Sequence, residues 1–259
     1  MPLAIKLCVV WSLLTTVEPV PAQTLHAAAA ADLQYAMGDL ASRFEKQSGI
    51  KVLASYGSSG NFRSQIQNGA PFDLFFSADA AYPQQLVAGG FADADTLTVY
   101  ARGHLVLWAS ADEHLALAEK GFQALEDPRV QKIAVANPKF APYGRAAIVA
   151  LQKAGLYEAV KSKLIFGENI SQAAQFAQSR SAQVGMLALS LTFADAMKNG
   201  EKWEIPADLY PVIEQAAVVV RSTANKKAAR AFLDFVKSRE GQRILTRYGL
   251  SPGGAAQQP

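Results

Sequence analysis

Residues 51–79 read KVLASYGSSGNFRSQIQNGAPFDLFFSAD. Lys51–Tyr56 is β-prone and runs into Gly57-Ser58-Ser59-Gly60, Asn61–Gln67 has helical character and stops at Asn68-Gly69, and Asp73–Ser77 is a short apolar run of the kind that forms a buried strand. Strand, helix and strand in this order predict a parallel pair covered by its crossover helix. The same alternation continues outward in both directions. Upstream, the apolar run Leu25–Ala31 precedes a helix with Leu33, Met37, Leu40 and Phe44 on one face. Downstream come a helix over Tyr82–Ala88, strands at Thr98–Val99, Leu105–Ala109 and Ile133–Ala136, and a helix over Arg145–Lys153. A strand at Lys163–Phe166, a helix over Ser171–Gln178, strands at Val184–Leu189 and Val212–Val220, and helices over Ala228–Lys237 and Gly241–Tyr248 follow, with a frayed tail expected from Pro252 to Pro259. These are too many strands for one small sheet. Two α/β lobes fit the length, and the lack of a Gly-, Pro- or Ser-rich linker predicts a chain that crosses between them on strands, with a cleft between. Clefts at the carboxyl ends of parallel strands are where such folds take ligands.

Composition narrows the function. The 259 residues are 50% hydrophobic and 18% charged, which excludes intrinsic disorder. The net charge of +3 comes without a basic stripe, so no nucleic-acid partner is expected. A single cysteine, Cys8, excludes a disulfide scaffold and a cysteine-based zinc site. Lys6, the apolar run Leu7–Leu14 and the small-residue exit Val20-Pro21-Ala22 read as a secretory signal peptide over residues 1–22, cut after Ala22. The run is short for a membrane span, and Cys8 precedes most of it, which disfavours a lipoprotein. A location outside the cytoplasm follows.

No Gly-x-Ser-x-Gly elbow is present. His26, His104 and His114 lack a partner at ligand spacing, and Asp73 and Asp79 flank a buried strand as turn or cap residues. Trp108 and Trp203 read as packing, and Tyr56 with Tyr143 is not the adjacent pair that a ferric site uses. What remains is four strand-to-helix junctions: Ala30-Ala31-Asp32, Gly57-Ser58-Ser59-Gly60, Pro142-Tyr143-Gly144-Arg145 and Glu168-Asn169-Ile170-Ser171. Each alone is equally an ordinary N-cap. Aimed together at one cleft, four helix starts make an anion site from unpaired backbone N–H groups, without a lysine. Ser59 adds a hydroxyl donor and Tyr143 a phenol.

At these junctions the chain resembles the periplasmic molybdate-binding proteins of ABC importers, through Ala-Ala-Ala-Asp-Leu (29–33), Gly-Ser-Ser-Gly-Asn (57–61), Gly-Ala-Pro-Phe-Asp-Leu-Phe-Phe-Ser-Ala-Asp (69–79), Asn-Pro-x-x-Ala-Pro-Tyr-Gly (137–144) and Glu-Asn-Ile-Ser-Gln-Ala (168–173). The resemblance runs from about Leu25 to Tyr248. It implies a two-lobe type II periplasmic binding fold with the ligand in the inter-lobe cleft. Lobe 1 is expected over 23–104 and 213–259, and lobe 2 over 105–212. It also implies a monomer without catalysis or cofactor that binds molybdate, and tungstate too, and hands it to an inner-membrane permease. The family's ligand contacts fall on Ala31, Asp32, Ser59, Tyr143 and the backbone N–H of Ile170, and Tyr143 stands in for a tyrosine that some members carry where this chain has Ala188.

Asp32 departs from the family, which has a neutral donor there. A carboxylate beside a dianion is repulsive. Three arrangements relieve this: only its backbone N–H faces the ligand, its carboxylate pairs with Arg145 or Arg63, or it is protonated and donates. The pair is the arrangement expected. The departure keeps another tetrahedral oxyanion open as ligand. An enzyme on the same fold, of the porphobilinogen-polymerising kind, needs a cofactor-holding cysteine that the mature chain lacks, and a purely signalling lobe pair would need a DNA-binding or transmembrane module.

Overall fold

The computed structural model describes residues 23–253. The expected signal peptide, 1–22, lies outside the described residues, as do residues 254–259. In chain order the strands are β1 (Thr24–Ala30), β2 (Lys51–Gly57), β3 (Leu74–Ser77), β4 (Thr98–Gly103), β5 (Leu105–Ala109), β6 (Ile133–Ala136), β7 (Leu164–Gly167), β8 (Val184–Ala188), β9 (Glu201–Glu204), β10 (Ile213–Val219) and β11 (Ser251–Pro252). They form two sheets, with orders β11-β4-β10-β3-β1-β2 and β7-β6-β8-β5-β9. Each sheet has a parallel half, β3-β1-β2 and β7-β6-β8, continued by antiparallel strands. The chain leaves the first sheet through the single residue His104 between β4 and β5, and returns between β9 and β10. Two α/β lobes result, joined by two crossings.

β1 explains why its sequence is apolar throughout instead of alternating. Leu25, Ala27 and Ala29 face a core that includes Phe44, Phe76 and Phe232, while Ala28 faces a second core with Phe62, Phe75 and Leu86. A parallel strand covered by helices on both faces has no solvent side. The helix Gln34–Ser48 buries Met37, Leu40 and Phe44 on its core-facing stripe, with Leu33 just ahead of it, and ends at Gly49, whose φ of 72° is the left-handed conformation that glycine adopts cheaply. The Phe44 and Phe232 rings meet edge to face at 5.1 Å.

Two details differ from expectation. β9 is an edge strand of sequence Glu-Lys-Trp-Glu. Its charged residues hide it from a reading based on apolar runs; Trp203 turns inward, onto Phe122 at 5.1 Å, and Glu201 on the same face accepts from the Leu117 N–H at 2.9 Å. Pro252 is not the start of a frayed tail: Ser251 and Pro252 pair with Arg102 and Ala101 of β4 as a sheet edge. Proline is tolerated there because an edge strand needs no donor on its outer side. His104 Nε2 lies 2.7 Å from Ser251 Oγ, tying this edge to the crossing.

Candidate functional site

The four junctions converge. Ala31, Asp32, Ser58, Ser59, Tyr143 and Ile170 line one small cavity between the lobes, about 10 Å³ in volume. All five contacts expected from the sequence are on it, and all are buried.

Each element delivers its group for a local reason. After β1 the chain makes one 3-10 turn, Ala31–Leu33, which carries Asp32 under the cleft. The helix Ser59–Gln67 follows β2 directly, and no side chain caps its start. Its Gly60 N–H donates to Phe140 O across the cleft at 3.0 Å, leaving the Ser59 N–H for the cavity. Ser59 Oγ accepts from the Ala78 N–H at 3.0 Å, so the hydroxyl proton is available for a ligand. In the helix Ile170–Gln178, Asn169 Oδ1 takes the Ser171 and Gln172 N–H groups at 2.9 and 3.0 Å. The Ile170 N–H is left over. The helix Pro142–Lys153 begins with a proline at its first position, which costs no hydrogen bond there. Gly144 lets this start lie against β6: a Cβ there would come 2.1 Å from Ala136 O.

Asp32 is the centre of a buried polar cluster. Tyr143 O–H donates to Asp32 Oδ2 at 3.1 Å, and Gln215 Nε2 donates to the same oxygen. Gln215 Nε2 also reaches Tyr143 Oη at 3.2 Å, and Tyr100 O–H donates to Gln215 Oε1 at 2.8 Å, which fixes the amide's orientation. Ser190 Oγ donates to the Asp32 carbonyl at 2.7 Å. Gly103 makes room: a Cβ there would sit 2.0 Å from Tyr143 Oη. Of the four buried side-chain polar atoms without a partner among the described residues, two belong to residues that line the cavity, Asp32 Oδ1 and Ser58 Oγ. Burial pushes the Asp32 carboxyl up from 3.8 to about 6, although the bonds from Gln215 and Tyr143 pull the other way. Burial also holds the Tyr143 and Tyr100 phenols well above their usual range, so both stay neutral.

The expected pairing of Asp32 with Arg145 or Arg63 is not what the structure has. Arg145 pairs with Asp79, its Nη1 donates to Tyr82 Oη at 3.0 Å, and its guanidinium covers the Tyr82 ring. Arg63 lies on the same ring and donates to Gln85 at 3.2 Å. Neither arginine lines the cavity. Tyr143 also differs from expectation. Its hydroxyl proton goes to Asp32, so it does not replace as a direct donor the phenol absent at Ala188, which is an interior strand residue paired with Leu105.

Sequence reasoning missed Ser58, Tyr100, Gly103, Ser190 and Gln215. Gln215 had a legible signal: it and Glu214 interrupt the apolar run Val212–Val220, and the polar side chain that a buried strand turns inward needs a partner.

Residues 25–251 match the family of bacterial extracellular solute-binding proteins. The molybdate-binding protein ModA of Azotobacter vinelandii is 40% identical over 234 residues, 88% of this chain and 90% of that protein. The molybdate-binding protein ModA of Rhodobacter capsulatus is 40% identical over 231 residues, 89% of each chain. The solved structure of the Azotobacter vinelandii periplasmic molybdate-binding protein superposes with a TM-score of 0.83 at 33% identity, over 89% of this chain and 100% of that one.

Proposed function

This chain belongs to the bacterial extracellular solute-binding proteins, alongside the molybdate-binding proteins it resembles, and we propose that it captures molybdate, and tungstate with it, outside the cytoplasm and delivers the anion to the membrane permease of an ABC importer. The observation that carries this reading is the convergence on one buried cavity of helix-start N–H groups, from Ser59, Tyr143 and Ile170, with the hydroxyls of Ser58 and Ser59. These groups replace the hydration shell of a tetrahedral dianion with fixed dipoles, without a cation in the cavity. Size then selects among anions, since the donors are generic.

The lobes we propose, 23–104 with 213–259 and 105–212, close on the ligand. Bonds between the halves support a closed form: Ser171 Oγ to Gln34 Oε1 at 2.7 Å, Gly60 N to Phe140 O, and Ser190 Oγ to Asp32 O. The action is capture and release by a monomer, not catalysis. Asp32 favours a second reading, a different tetrahedral oxyanion, because a carboxyl group can also meet a ligand that carries a proton.

Calorimetric titration with molybdate, tungstate, sulfate and phosphate tests both readings. One molybdate per chain is expected, and Ser59→Ala weakens binding by about 1.5–3 kcal/mol, the range for a hydrogen bond to a charged group. Binding of phosphate alone favours the second reading. No heat with any of the four, and no rise in Tm, ends the oxyanion assignment.

A further inference from the structure

The Asp32 carboxyl is 1% exposed and meets only neutral partners. Its two oxygens are unequal. Oδ2 accepts from the Tyr143 O–H and from the Gln215 N–H, while Oδ1 has no partner and belongs to a residue on the cavity wall. The groups that hold this asymmetry come from three elements. Tyr143 is on the helix Pro142–Lys153, Gln215 on β10, and Tyr100 on β4 locks the Gln215 amide so that its N–H, not its carbonyl, faces Asp32. The titratable groups facing Asp32 are the two phenols, both neutral, and the remaining cavity walls carry no ionisable side chain. The charged groups near the rim, Arg145 with Asp79 and Arg63, are engaged elsewhere. An ionised Asp32 would therefore set a bare carboxylate oxygen against an incoming dianion with no cation between them.

We infer that Asp32 meets the bound oxyanion as a neutral carboxylic acid, its proton on Oδ1 donated to an anion oxygen, so that each capture near neutral pH takes up one proton from solvent. The inference rests on the oxyanion reading above. Oδ1 is the oxygen that carries the proton because both neighbouring donors already point at Oδ2. The proton comes from buffer and returns to it on release, and no other group changes its charge. Asp32 then switches in a way a neutral amide could not: it repels a dianion while ionised and admits one once protonated. Burial, which raises the carboxyl to about 6 before any anion arrives, leaves little further cost to protonation at mildly acidic pH. The bound dianion raises it further. Affinity therefore increases as pH falls from 8 and levels off below about 6. Gln215 and Tyr100 are positioning residues in this scheme, and the device makes the cleft a better trap in mildly acidic surroundings.

The experiment is calorimetric titration of the purified protein with molybdate at pH 8, 7 and 6, in two buffers of different ionisation enthalpy at each pH. The expected result is close to one proton taken up per anion at pH 8, with Kd falling about tenfold between pH 8 and 7 and less from 7 to 6. Asp32→Asn keeps a donor at the same place without a proton to gain. It loses both the uptake and the slope, and binds at least tenfold tighter than the parent at pH 8. Anion binding by the parent with no proton uptake and a flat profile overturns the inference while leaving the oxyanion reading standing. An Asp32→Asn variant that keeps the parent's slope also overturns it, by moving the proton elsewhere. Absence of binding by molybdate, tungstate, sulfate and phosphate overturns the oxyanion reading and this inference together. Because proton uptake is measured on the parent, a variant that failed to fold would leave the decision intact.

Discussion

Asp32 and Asp79 follow neighbouring parallel strands, β1 and β3, and both reach across the cleft to the same helix, Pro142–Lys153. Their surroundings are opposite. Asp79 sits at the rim with a side chain 31% exposed, and its partner is the Arg145 guanidinium, itself 38% exposed. Asp32 lies at the bottom among a phenol, an amide and an unpartnered side. The difference separates two ways of joining lobes. A rim ion pair is screened by water and salt and holds little energy. A buried neutral network holds more, and it couples closure to the protonation of one group. An anion site can use the second only if no cation intrudes, and both nearby arginines are engaged at the rim.

The contrast can be broken first at Asp32 in the ligand-free protein. Its carboxyl is raised from 3.8 to about 6, so the stability it contributes is fully present below pH 4 and is lost as pH rises through 6. Asp32→Asn removes that loss. Urea denaturation at pH 8 should show the variant more stable than the parent by up to about 3 kcal/mol, the worth of about two pKa units. The gain should hold nearly level from pH 8 to 7 and shrink as pH falls through 6 toward 5. An equal gain at both ends would mean that folding does not raise the Asp32 carboxyl above its unfolded value.

A smaller effect is expected at Tyr143. Tyr143→Phe removes one of the two donors to Oδ2 and keeps the ring. That bond pulls the carboxyl down, so its loss eases protonation, and molybdate binding at pH 7 should tighten by up to about 1 kcal/mol, the net worth of one hydrogen bond, with Tm changed little. An unaltered Kd would show that Gln215 alone holds the carboxyl and that the phenol only packs.

The smallest effect belongs to the rim. Asp79→Asn should cost under about 1 kcal/mol in either stability or binding, and less at high salt. A loss above about 2 kcal/mol would erase the distinction, because the rim pair would then be acting as a buried one.

Much of the molecule is legible from the chain. The strand-and-helix alternation from Leu25 onward, the buried stripe of Met37, Leu40 and Phe44, and the four junctions follow from periodicity and punctuation, which are local properties. β9 was not legible, because an edge strand of charged residues has no apolar signature. Pro252 was misread because its pairing partner, Ala101, is far away in the chain. In the site, helix starts could be found from small and polar residues at strand ends. Tyr100 and Ser190 could not, and Gln215 was legible as a polar residue in a buried strand but not as a partner of Asp32, because each joins the cluster by a contact across more than a hundred positions.

The sequence by itself determined that two α/β lobes form and that their strand ends carry small residues, hydroxyls and one acid, because side-chain period and chain punctuation act between near neighbours. Which partners that acid has was decided only by the tertiary structure. Arg145 and Arg63 are suitable by charge, but Arg145 is engaged by Asp79 and both guanidiniums lie on the Tyr82 ring, off the cavity wall. Tyr143 and Gln215 come in on a helix start and a central strand, and Gly103 leaves room for the phenol. A buried carboxyl takes the donors that packing brings to it, and here packing brought neutral ones.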